Sequence, residues 1–218
     1  VNFLEFAWNI LPTLLKGSLV SIELTVLAIS IGLLLGIPLS LGRVYGNRFI
    51  YTCTTIYVEA FRGTPVLTQL FILYFGLPSI GIMFPPFTAA VIGLGLNSAA
   101  YQAEYFRGAI QAIKGGQMLA ARSIGMNKIK SIRYIVLPQM FRLVIPSWSN
   151  ELILLLKASS IAYMIQVSEL VSVGRQIASQ NFRTFEVFLI IALIYFIIVE
   201  MLNKILHLVE RKIKIPGL

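Results

Sequence analysis

The chain has no aspartate. All nine of its acids are glutamate, set against eighteen Lys and Arg, and charged residues make up only 12% of 218. Histidine and cysteine occur once each, as His207 and Cys53. Each shortage excludes something. A single cysteine cannot close an internal disulfide, and beside an apolar run it reads as an inert buried thiol. A single histidine in a basic tail rules out a His cluster for metal or proton work, so no metal and no cofactor is expected. Paired acids at metal spacing and Ser–His or Cys–His sets are missing. A membrane enzyme would be left with Ser159 or Ser160 near Lys157, where adjacency in sequence is not geometry. There is no Gly-x-x-x-x-Gly-Lys-Ser/Thr loop to cradle phosphates. The start, VNFLEFAWNILPTLLKG, lacks a basic n-region and a small-residue cleavage site, so it does not read as a signal peptide.

Apolar residues are abundant: 57% of the chain, with a mean hydropathy of +0.83. A water-soluble domain of this length cannot hide so much apolar surface. Lipid removes the difficulty, so the expectation is an all-α integral membrane bundle forming one domain over residues 1–218. The net charge of +9 does not point to nucleic acid, because the basic residues cluster at the ends of apolar runs. A span needs about 20 mostly apolar residues. Five candidates run from Gly17 to Leu41, Ile50 to Leu77, Pro86 to Phe106, Tyr134 to Leu156 and Phe185 to Leu208. Arg43 and Arg48, then Arg107, Lys114, Arg122, Lys128, Lys130 and Arg133, then Lys204, Arg211, Lys212 and Lys214 would then share one side. That side is the cytoplasm by the positive-inside rule, which puts the N-terminus outside and the C-terminus inside. Ser159 to Phe185 is too polar for a span and too apolar for a free loop, and reads as one or two short helices partly buried against the bundle.

One stretch breaks the apolar pattern: GGQMLAARSIGMNKIKSIRYIVLPQ, from Gly115 to Gln139. Gly115-Gly116 breaks any helix arriving from the third span. Gln117 to Lys130 are mostly good helix formers. Ala121 and Gly125 are four apart and share a helix face, which Ala120 widens into a smooth patch. Such a face lets another surface approach closely, with Arg122 and Lys128 pairing with acids or anionic lipid. Leu137-Pro138 marks re-entry into the membrane. Periodicity alone also permits a plain cytoplasmic loop, or an amphipathic helix lying on lipid.

GQMLAARSIGMNKIKSIRYIVLPQ resembles the EAA loop of ATP-binding-cassette importer permeases. Ala120, Ala121, Gly125, Ile135, Leu137 and Pro138 fit in order and spacing, while Leu119 stands where the family usually has Glu. VEAFRGTPVLTQLFILYFG (Val58 to Gly76) is similar to the second-span motif of the polar-amino-acid permeases. NSAAYQAEYFRGAIQAI (Asn97 to Ile113) resembles the run before the loop in that subfamily. The resemblance implies a permease subunit in a bacterial-type inner membrane, paired with a second, identical or related, subunit around a transport path. It implies a coupling helix, in a loop of about 114–138, seated in a cytoplasmic ATPase subunit through Ala120, Ala121, Arg122, Gly125 and Lys128. It further implies a solute-binding protein outside that delivers an amino acid. This chain would be non-catalytic. With Leu119 in place of Glu, the seat of the coupling helix is expected to be more apolar.

Ionisable groups inside a span are costly and face the bundle or a watery path. Glu59 and Arg62, three apart, can pair on one helix face as an ion pair or a gate, and Pro65 after Thr64 can bend that helix. Asn97, Tyr101 and Glu104 form a polar stripe at helical spacing beside Ser98, with Gln69 a plausible neighbour across the bundle. The stripe reads as path lining, with interhelical glue as the alternative. Glu151 has no Lys or Arg within helical reach except Lys157, off the same face. A carboxylate without an evident partner suits a cationic amino acid; alternatively it pairs with Arg62 or is protonated. The competing function is a secondary transporter or channel working without an ATPase, which would have no need of the small-residue patch.

Overall fold

The computed structural model describes residues 2–113 and 116–213. Lys114, Gly115 and Lys214, which carry expectations above, lie outside the described residues. The described residues form helices and turns, with no strand among them.

Helix α1 spans Phe3–Tyr45, 43 residues, far longer than the expected first span. At 1.5 Å per residue it is about 64 Å long, roughly twice a bilayer core. Its first turns pack on helices near the C-terminus through Phe6, Ile10 and Leu14. Its second half crosses α4 (Pro86–Ala112). Small residues make that crossing close. A Cβ on Gly32 would sit 2.1 Å from Gln102 Nε2, and one on Gly95 would sit 2.9 Å from Ile31. Membrane helices use small residues in this way to bring backbones together.

The expected second span is broken. Helix α2 (Arg48–Gly63) and the helical run that begins with α3 (Val66–Phe71) meet at 104°. The cause is local. Pro65 excludes α geometry from the residue before it, and Thr64 is extended at φ −117°, ψ 143°. The Gln69 amide then braces the break, donating to the carbonyls of Phe61 (2.8 Å) and Thr64 (3.1 Å) and to Thr64 Oγ1 (2.8 Å). A π turn, Ile72–Gly76, and a 3₁₀ turn, Leu77–Ile80, follow, ending at Gly81 with φ +84°. Cys53 is exposed on α2, which corrects its reading as a buried thiol.

Helix α5 (Gly116–Ser123) ends in a left-handed turn, and α6 (Lys128–Ser131) starts at Asn127, whose side chain caps Lys130 N at 2.9 Å. From Lys128 the chain stays helical, through a π turn at Ile132–Val136, into α7 (Leu137–Ala158). Leu137-Pro138 is therefore not where this helical run begins. Asn127 starts it earlier, and the wider π turn accommodates the proline's missing N–H. A 3₁₀ turn (Ser159–Ile165), α8 (Leu170–Asn181) and α9 (Thr184–Ile213) complete the chain. The segment after α7 is the short, partly buried helix expected, with Leu170, Gly174 and Ala178 inside.

Among the described residues α1 and α9 are long and apolar enough to cross a membrane, and each of two bent pairs can count as one more span. The 27-residue α4 is long enough too, but it carries the polar seam described below. The expected count of about five is met only roughly.

Candidate functional site

Two stripes run along α4, each at the i, i+4, i+7 spacing that stacks side chains on one helix face. The first holds Ser98, Gln102 and Tyr105, turned toward α1 and α7. Ser98 Oγ donates to Glu151 Oε1 (2.8 Å) and the Tyr105 hydroxyl to Glu151 Oε2 (3.4 Å). Gln102 Nε2 donates to the Ile29 carbonyl (3.1 Å), and Trp148 Nε1 donates to Gln102 Oε1 (3.0 Å). Glu151 is only 5% exposed. It is therefore not the unpartnered carboxylate that sequence spacing suggests. Its partners come from α4, out of reach of any reading along α7. No ion pair joins it to Arg62 among the described residues.

The second stripe holds Asn97, Tyr101 and Glu104, turned toward α2 and its break. Asn97 Nδ2 donates to Gln69 Oε1 (3.0 Å) and to the Phe61 carbonyl (3.2 Å). The Arg62 guanidinium lies 5.4 Å from the centre of the Tyr101 ring. Glu104 receives three arginines from three helices. Arg43 of α1 makes a close ion pair, Arg107 of α4 a bidentate one (3.0 and 2.8 Å), and Arg62 of α2 stands at 3.6 Å. Glu59 faces Arg43 at 3.6 Å. The expected Glu59–Arg62 pair is thus replaced by tertiary partners, each turned to an opposite charge on another helix. Two members, Arg43 and Arg107, read in sequence only as topology charges; Arg107, three residues after Glu104, was open to a reading along the helix, whereas Arg43 is 61 positions away. Glu169 was also missed. It is fully buried, caps α8 through Val171 N and Ser172 N (2.9 and 2.8 Å), and meets Tyr195 of α9 at 3.4 Å.

The basic break folds differently from its expectation. Met126 N reaches the Ala121 carbonyl (3.1 Å) and Gly125 N the Arg122 carbonyl (3.0 Å), with Gly125 at φ +87°. This is a Schellman helix end, where glycine takes the left-handed residue. Gly125 consequently lies beyond the helix rather than on a face with Ala121. Ala121 itself is buried at 4% exposure. The outward surface is Leu119, Ala120, Arg122, Ile124 and Ile129. Lys128 is engaged within the chain, its Nζ 2.6 Å from the Tyr45 carbonyl and 5.8 Å from the Tyr45 ring.

Residues 9–215 match the family described as binding-protein-dependent transport system inner membrane component. The chain belongs to this family. It is 34% identical over 210 residues to the glutamine transport system permease protein GlnP of Escherichia coli (strain K12), covering 95% of this chain and 96% of that one. It is 38% identical over 214 residues to the arginine transport system permease protein ArtQ of Bacillus subtilis (strain 168), covering 97% and 98%. A crystal structure of an amino acid ABC transporter with histidines superposes at a TM-score of 0.89, with 39% identity over 97% of this chain and 99% of that one. This inner membrane component therefore has the fold of an ABC permease, and its relatives are permease proteins.

Proposed function

We propose that this inner membrane component is the permease subunit of an ATP-driven importer of polar amino acids, cationic ones among them. The likeness to an amino acid ABC transporter over nearly the whole chain carries the reading. ATP hydrolysis belongs to a separate ATPase chain. A second permease subunit, identical or related, completes the path, and an extracytoplasmic binding protein supplies the substrate. The end bearing Arg43, Arg107 and Lys128 faces the cytoplasm, with the N-terminus outside, as the positive-inside rule requires.

The two α4 stripes are the proposed path. Glu151, held by Ser98 and Tyr105, meets the cationic group of the substrate once the helices part and expose it. Asn97, Gln69 and Tyr101 line the way beside the α2 break. Glu104, with Glu59 and Arg62, closes it as a gate. Docking to the ATPase uses the apolar surface of Leu119, Ala120, Ile124 and Ile129, with Arg122 as its charge. Gly125 and Ala121 shape that surface from within, and Lys128 anchors it.

The test is reconstitution of the chain in liposomes with its cognate ATPase and binding protein, followed by uptake of labelled amino acids. ATP-dependent uptake of arginine, lysine, histidine or glutamine is expected. Uptake that persists without ATPase or ATP would favour a secondary transporter.

A further inference from the structure

Between α7 and α9, two cavities adjoin. The larger one, about 290 Å³, is lined by Arg142, Ile145, Pro146, His207, Glu210, Arg211 and Ile213. The smaller one, about 150 Å³, shares Pro146, His207 and Glu210 and adds Ser149, Asn150 and Asn203. Its polar groups are unspent. The buried serines Ser18, Ser21, Ser40, Ser98, Ser131 and Ser159 each donate to a carbonyl or carboxylate. Ser149, 4% exposed, has no hydrogen-bond partner among the described residues. A buried hydroxyl left unsatisfied is costly and calls for a group to bond. The side chains of Asn150 and Asn203 have no partner among the described residues either, and neither Arg142 nor Arg211 is in an ion pair there.

The charge is specific. Among the described residues Glu210 is the one carboxylate lining the groove, and it is taken by His207 Nδ1 at 3.2 Å. Two guanidiniums against one carboxylate leave at least a single positive charge. Arginine forks suit phosphate oxygens, and hydroxyl and amide groups suit a polar substituent beside them. Ile145, Pro146 and Ile213 give the rim an apolar wall. We propose that this groove binds a phosphodiester monoanion carrying a neighbouring hydroxyl. A glycerol-bearing anionic phospholipid headgroup and a soluble glycerol phosphodiester share that chemistry. The site stands apart from the α4 seam and does not depend on which solute is carried.

The assembled transporter tests it. The complex is delipidated, exchanged into nanodiscs of phosphatidylcholine with or without phosphatidylglycerol, and its retained lipid is counted by native mass spectrometry. Preferential retention of phosphatidylglycerol is expected. Arg142→Gln and Arg211→Gln should each weaken it about five-fold, the strength of one surface arginine near an anionic membrane. Ser149→Ala should weaken retention too, with thermal stability in phosphatidylcholine unchanged or raised. Arg175→Gln, in α8 where Arg175 stacks on Tyr163 at 4.8 Å, is the control and should leave retention as it was. Glycerophosphoglycerol, a soluble phosphodiester, competing without any lipid preference would keep the site and assign it to a soluble ester. Lipid retention that ignores all three groove substitutions, or that falls equally with Arg175→Gln, would overturn the proposal.

Discussion

Lys128 Nζ donates to the backbone carbonyl of Tyr45 at 2.6 Å, tying the basic break to the end of α1. The last carbonyls of a helix have no partner within it, and a cation there meets the negative end of the dipole. Lys128→Met should therefore destabilise the chain by about 1 kcal/mol, while Lys128→Arg recovers much of it. Thermal unfolding in nanodiscs measures this. Unchanged stability with weaker ATPase co-purification would make Lys128 a docking residue instead.

Gly125 tests whether small size or backbone shape matters in the break. At φ +87° an L-residue is strained by about 1–2 kcal/mol, and Asn tolerates that region better than Ala. Among the described residues no atom beyond its chain neighbours lies within 4 Å of a Cβ placed there, so tertiary packing sets no steric limit. Gly125→Asn should transport better than Gly125→Ala although it is larger. The reverse order in an uptake assay would return the position to a close-approach role.

Glu104 and Glu59 both face Arg43, but their surroundings differ. The Glu104 side chain is 15% exposed and carries three arginines; the Glu59 side chain is 62% exposed and stands 3.6 Å from one. Removing a carboxylate from a buried cluster leaves uncompensated guanidinium charge, which costs about 3 kcal/mol. An exposed pair at that distance is worth at most about 1 kcal/mol. Glu104→Gln should thus lower the melting temperature clearly more than Glu59→Gln. Equal effects would mean that the cluster does not hold α1, α2 and α4 together at this end.

Hydropathy made the membrane class and most helix positions legible, because lipid imposes long apolar helices whatever the tertiary detail. Pro65 announced a disturbance in the second span, but the size of the break depends on Gln69 folding back over Thr64. Two failures share a cause. Helical spacing sees neighbours on the same helix, so it paired Glu59 with Arg62 and left Glu151 alone. The actual partners of Glu59 and Glu151 lie on other helices, 16 and 53 positions away for Arg43 and Ser98. Gly125 failed differently, because a chain of good helix formers conceals where a glycine stops them.

Glu151 separates a transport role from a packing role. Its two hydroxyl partners, Ser98 and Tyr105, stabilise the carboxylate in place, yet neither supplies a positive charge. A cationic amino acid entering the seam would supply it, and in a site shielded from water that attraction is strong. Glu151→Gln keeps the shape and an oxygen acceptor for Ser98 while removing the charge. Uptake of arginine or lysine should then fall by about ten-fold or more, the effect of roughly 1.4 kcal/mol, with glutamine uptake changed far less. The comparison is made on one reconstituted preparation, with a binding protein that delivers both solutes, so differences in folding or assembly cancel. Equal loss for both solutes would make Glu151 a structural acceptor and remove the basis for a cationic preference.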